Sequence, residues 1–153
     1  MTQPQNLSIA ALSAAYRSGQ LTPRLVIARL LDYIGDDDPH HVWITRLNAA
    51  QVFAYVDALE AKDSSQLPLY GIPFVIKDNI DLANVPTTAG CDAFAFTPQK
   101  SATVVQKLID AGAIPLGKTN LDQFATGLVG ARSPYGAGRN AFNRDYISGG
   151  SSS

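Results

Sequence analysis

The apolar residues of the first sixty positions recur at helical spacing, and after about residue 70 the pattern changes. Val26, Ile27, Leu30, Leu31 and Ile34 make one stripe at intervals of three and four. Thr22 precedes it as an N-cap, Pro23 suits the first helical position, and Gly35 ends it. A helix upstream is expected over residues Ser8 to Ser18, stopped at Gly19, and a third over Asn48 to Lys62 with Val52, Phe53, Val56 and Leu59 on one face. Asp36-Asp37-Asp38-Pro39 reads as a solvated turn, and Asp63 to Gln66 as a short polar linker. Beyond them strand and helix signals alternate. Ile72 to Ile76 is a buried strand, followed by a polar loop through Pro86-Thr87-Thr88. A helix over Thr103 to Ala111 should bury Val104, Val105, Leu108 and Ile109 and end at Gly112. Ala113 to Leu116 is a short strand, and Asn120 is placed to cap a brief helix, Leu121 to Thr126. From Gly127 onward seven glycines and prolines in 27 residues make the chain loop-like. The alternation predicts an α/β fold with at least partly parallel strands.

Composition narrows the function classes. A chain of 153 residues with 46% hydrophobic content can bury a core, as one domain or part of one. A formal charge of −1 argues against a nucleic-acid or acidic-membrane surface. Cys91 is the only cysteine, so no intrachain disulfide is possible and no cysteine-based metal site is visible. His40 and His41 are adjacent, a spacing that suits neither zinc ligation from a helix nor one face of a strand, so they read as loop residues. The start MTQPQNLSIA has no basic segment followed by an apolar one, and no apolar run approaches a membrane span. A soluble cytoplasmic protein is the expectation. The chain stops at Ile147-Ser-Gly-Gly-Ser-Ser-Ser153, which reads either as a flexible tail or as a truncation within a motif.

Two constellations could carry chemistry. Gly112-Ala-Ile-Pro-Leu-Gly-Lys-Thr119 matches the phosphate-binding pattern G-x-x-x-x-G-K-[ST] letter for letter. Its context is wrong: a helix precedes Gly112, the inner residues are apolar, and Pro115 has no N–H to offer phosphate. Gly112 reads better as a helix stop and the following residues as a core strand. The second constellation is Lys77, at the end of the strand Ile72–Ile76, with the serines after Gly149-Gly150. A serine hydroxyl needs a base to become a nucleophile, and lysine is a base only when neutral, a form that apolar surroundings favour. Strand alternation puts Lys77 on the face opposite Asp78, so that carboxylate need not hold it charged.

The segments "YGIPFVIKDNID", "PTTAG", "AGAIPLGKTNLDQFATG", "SPYG" and "SGGSSS" occur in the order and spacing of the amidase signature family, which the chain resembles from about Leu69 to its last residue. The resemblance implies the N-terminal part of that α/β fold, helices leading into a mixed sheet covered by helices, within a single amidase domain. It implies a catalytic lysine at Lys77 and a cis-peptide serine at Ser151. The nucleophilic serine and the oxyanion donors are expected beyond Ser153; Ser152 and Ser153 do not replace them. No cofactor or metal is implied. "LYGIPFVIKDNIDLANVPTTAGCDAFAFTP" and "GARSPYGAGRN" look most like allophanate hydrolases, which split allophanate to ammonia and carbon dioxide in urea breakdown. A small-molecule amide is the implied partner, with no nucleic acid or membrane, and a homodimer is compatible with the full-length protein. The competing readings are a glutamine-dependent amidotransferase-type amidase, a non-catalytic binding fragment, and ATP binding through Lys118. Residues 1–153 alone are expected to show no turnover and to expose a sheet edge prone to aggregation. The Gly150–Ser151 bond is expected to be cis in the complete enzyme, and trans or disordered from about Ser148 in this chain.

Overall fold

A computed structural model describes residues 6–153. The described residues form two compact units. The first takes the residues up to Gly35, Asn48–Phe74 and Lys107–Pro115; the second takes Asp36–Leu47, Val75–Gln106 and Leu116–Ser153.

The first unit is built on the helices the sequence announces. α1, Ile9–Arg17, starts at Ser8, whose hydroxyl accepts the Ala11 N–H. α2, Pro23–Ile34, starts at Thr22 with proline in its first turn and ends at Gly35. α3, Ala49–Glu60, opens with a full capping box, in which Asn48 and Gln51 each accept the other's backbone N–H. Buried Leu12, Val26 and Ile72 pack with Tyr16, Leu21 and Leu69. Arg24 of α2 is paired with Asp57 and Glu60 of α3 at the surface. Gly71 is required by close approach: a Cβ there would lie 2.6 Å from the Pro23 ring, and its φ is +71°.

The sheet has three strands in the order β1-β3-β2: β1 is Trp43–Arg46, β2 Pro73–Lys77 and β3 Ile114–Thr119. β1 runs antiparallel to β3, with Thr45 opposite Lys118 and Arg46 opposite Gly117. β2 and β3 run parallel, as the bonds Ile114 N–H to Ile72 O and Asp78 N–H to Thr119 O require. The sheet is therefore mixed, as expected. α4, Thr103–Asp110, makes the crossover between the parallel strands.

Several details differ from the sequence reading. β1 was not anticipated, although Val42-Trp-Ile-Thr45 is a run of strand formers; the carboxylate of Asp38 sets its start by accepting the N–H groups of Val42 and Trp43. β2 ends one residue later than expected, so Lys77 is a strand residue. β3 continues through Gly117 and Lys118, every position buried. In α4 only Val105 is buried; Leu108 and Ile109 are half-buried, and Val104 falls on the flank, 56% exposed. The expected helix Leu121 to Thr126 is only a 3₁₀ turn, Gln123–Ala125, with Phe124 and Ala125 at positive φ. Among the described residues no helix is long and apolar enough to cross a membrane.

Candidate active site

The buried polar residues Asp78, Thr87, Thr88, Lys118, Thr119, Asn120 and Asp122 all belong to the second unit. Polar groups are kept out of water only where partners satisfy them, so this concentration marks the part of the fold with chemistry to arrange.

Lys77 closes β2 with its Nζ donating to Ser151 Oγ at 2.7 Å. The two residues are 74 positions apart, and both are half-buried. The Gly150–Ser151 peptide is cis in this chain, which corrects the expectation of a trans or disordered segment. The segment around it makes its contacts with Asp122, Leu121 and Gly130. Ser151 O accepts the Asp122 N–H at 3.1 Å, and Ser152 forms an antiparallel bridge with Leu121. Gly150 presses on Asp122 and Gly130: a Cβ on it would lie 2.5 Å from both Asp122 Oδ2 and Gly130 N. Ser153 Oγ is buried without a hydrogen-bond partner.

The wholly buried lysine is Lys118. Its Nζ donates to Pro86 O at 3.1 Å and Thr87 Oγ1 at 3.0 Å and stands 3.6 Å from Asp78 Oδ1. Burial pushes its pKa below the ordinary lysine value, opposed by the charge of Asp78. Asp78 Oδ2 accepts both the N–H and the hydroxyl of Thr88, at 2.9 and 2.6 Å. Asp78 thus turns away from Lys77, as strand alternation required, and with Lys118 pins the Pro86–Thr88 loop under the end of β2. The same geometry disposes of the phosphate-binding pattern. Gly117 and Lys118 lie inside a strand, and the ammonium is spent on protein groups.

Asp122 is the residue the sequence reading passed over. Its Oδ2 accepts from Gly130 N at 3.0 Å and Val129 N at 3.2 Å, and its Oδ1 from Arg132 N at 2.8 Å. Burial works against its charged form, but the N–H groups of Arg132, Gly130, Val129 and Ala131 outweigh it and hold the pKa below the ordinary carboxylate value. With its carboxylate committed there, Asp122 cannot cap a helix, and the chain turns instead. Asn120, the expected cap, knits neighbouring loops: its Nδ2 donates to His41 O and Gly136 O, and its Oδ1 accepts from Ser133 Oγ. A signal was available in the Gly-rich run after Gly127, whose backbone donors need an acceptor wherever they are buried.

A cleft of about 280 Å³ opens between Asn79, Asp81, Thr87, Ala89, Phe94, Phe96 and Phe124. Phe94 meets Phe96 and Phe124 edge to face, with centroids 5.8 and 5.3 Å apart.

Comparison with known proteins follows the same residues. The family model "Amidase" matches residues 38–153. Urea amidolyase of Saccharomyces cerevisiae is 46% identical over 136 residues, covering 88% of this chain and 7% of that protein. A glutamyl-tRNA(Gln) amidotransferase subunit of Lacticaseibacillus paracasei is 40% identical over 149 residues, 95% of this chain and 30% of that protein. The structure of Kluyveromyces lactis allophanate hydrolase superposes with a TM-score of 0.80 at 42% identity, over 90% of this chain and 23% of that one. The chain therefore spans less than a third of the length of each.

Proposed function

The chain belongs to the amidase family, and on that footing we propose that it carries the lysine and serine arms of a site that hydrolyses a small amide. The observation that carries the reading is the 2.7 Å bond between Lys77 Nζ and Ser151 Oγ. As a neutral amine, Lys77 would take the proton of the Ser151 hydroxyl. Ser151 would in turn accept the proton of a nucleophilic serine on a segment beyond Ser153, which attacks the amide carbonyl. Returned along the same path, that proton would leave with the amine. Residues 1–153 would be the N-terminal portion of one amidase domain, working in the cytoplasm without a nucleic-acid partner.

Allophanate is the substrate this reading favours, cleaved to ammonia and carbon dioxide in urea breakdown. What supports it is the higher identity to urea amidolyase and the match to an allophanate hydrolase structure. The amidotransferase reading rests on the likeness to the glutamyl-tRNA(Gln) amidotransferase chains and would make glutamine the amide donor. Ammonia release by the full-length protein from allophanate and from glutamine separates the two. In the same assay Lys77→Ala is expected to lower kcat by about three orders of magnitude or more while the protein stays folded. Near-normal turnover by that variant would sink the assignment.

A further inference from the structure

We propose that Asp122 is a positioning residue for Ser151, tying the serine segment through the backbone to the loop of residues 129–132. The inference rests on the reading of Lys77 and Ser151 given above and adds a residue to it. Asp122 touches neither reacting group. Its carboxylate gathers the N–H groups of residues 129–132, folding that stretch into a closed loop around one buried charge. Its own N–H reaches the other way, to Ser151 O at 3.1 Å. One residue thereby ties the Gly-rich loop to the peptide that carries the serine hydroxyl.

The glycines around it show how tightly the arrangement closes. A Cβ on Gly127 would collide with the Asp122 carboxylate, and a Cβ on Gly150 would stand 2.5 Å from Asp122 Oδ2. Neither glycine has a positive φ, so what excludes a side chain there is space. The loop side is closed as well: Gly138 N–H donates to Gly130 O at 2.9 Å, and Ser148 N–H to Gly138 O at 3.0 Å. The carboxylate also leaves no free cradle, since the backbone donors that could bind an outside anion are already taken. The Ser151 hydroxyl is held against Lys77 at 2.7 Å by this packing. A loosened Asp122 shifts the hydroxyl, and misplacement of a reacting group by about 1 Å costs about 100-fold in rate.

The test uses the full-length protein and ammonia release from allophanate, with circular dichroism to confirm folding. Asp122→Asn keeps shape and one acceptor oxygen but turns an NH₂ toward backbone donors; Asp122→Ala keeps neither. We expect kcat to fall about 10- to 100-fold in Asp122→Asn and further in Asp122→Ala, with KM within about threefold. On a Ser151→Ala background, Asp122→Asn should cost no additional activity, because the hydroxyl it positions is gone. An unchanged kcat in Asp122→Asn, or an undiminished loss on that background, overturns the proposal. In the wild-type protein, hydrogen exchange provides a measurement that needs no variant. The amides of Asp122, Gly130 and Arg132 should open as one unit, and free exchange at Gly130 and Arg132 beside a protected Asp122 counts against the link. Lys77→Ala run alongside distinguishes the failures: normal turnover there refutes the site itself, whereas its loss with an unimpaired Asp122→Asn refutes only the positioning role.

Discussion

Replacing Asp78 with asparagine removes a charge and almost no volume from a pair shut off from water. Asp78 Oδ1 and Lys118 Nζ are 3.6 Å apart, and both side chains are 0% exposed. Lys118 keeps its bonds to Pro86 and Thr87 in the variant, so the loss is chiefly that of the counter-charge. Removing one partner of a buried pair costs about 3–5 kcal/mol. The orphaned lysine can escape by giving up its proton, which at pH 7 costs about 4.6 kcal/mol against a reference pKa of about 10.4. That figure is a ceiling on the charge contribution, and at pH 9 it drops to about 1.9 kcal/mol. The sign follows from proton binding: the unfolded chain holds the lysine proton and the folded variant does not, so stability rises with pH across this window. Trp43 is the chain's only tryptophan and pairs with Thr119, the neighbour of Lys118, so its fluorescence reports on this strand. With a urea slope of about 2 kcal/mol per molar, the midpoint should fall by about 1.5–2.5 M at pH 7 and by less than about 1 M at pH 9. Asp78→Asn/Lys118→Met, which removes the stranded charge as well, should recover at least half of the loss. A shift independent of pH, or a double variant no more stable than Asp78→Asn, would refute the reasoning.

Two further outcomes concern stability. Gly117 has φ +154°, and a Cβ on it would overlap Thr45 O and stand 3.0 Å from the Trp43 ring; Gly117→Ala should therefore destabilise by about 1–3 kcal/mol and alter Trp43 emission, and native-like melting would contradict the β1–β3 register. The pKa of Asp122 is lowered from 3.8 in the folded chain, so its contribution is complete above that value and lost as pH falls below it toward the folded pKa. Stability measured against pH should then fall less steeply in Asp122→Asn than in the native protein below about pH 4, and parallel profiles would show that the carboxylate is not held as described.

The helices of the first unit were legible because their signals are local. Ser8, Thr22 and Asn48 cap, Pro23 starts, Gly35 stops, and each acts within four residues of the backbone it serves. The strands were legible where apolar runs were long, and their ends were not, since pairing sets where a strand stops. β3 runs on through Gly117 and Lys118 because β1 lies alongside with room only for a glycine opposite Arg46. Lys77 and Ser151 could be named from sequence through their resemblance to a family, but their 2.7 Å contact joins positions 74 residues apart. Burial separated the two lysines in a way no local pattern showed. Lys118, dismissed as a phosphate ligand, is enclosed to hold a loop, whereas Lys77 stays half-open beside the serine. Asp122 shows the limit most plainly. By sequence it is an acidic residue in the first turn of a short helix, a favourable place for it. Four backbone donors brought round by the chain from 129 to 132 outbid that helix. Local propensity is worth tenths of a kcal/mol per residue, and a buried carboxylate with its bonds satisfied is worth more, so the tertiary structure decided.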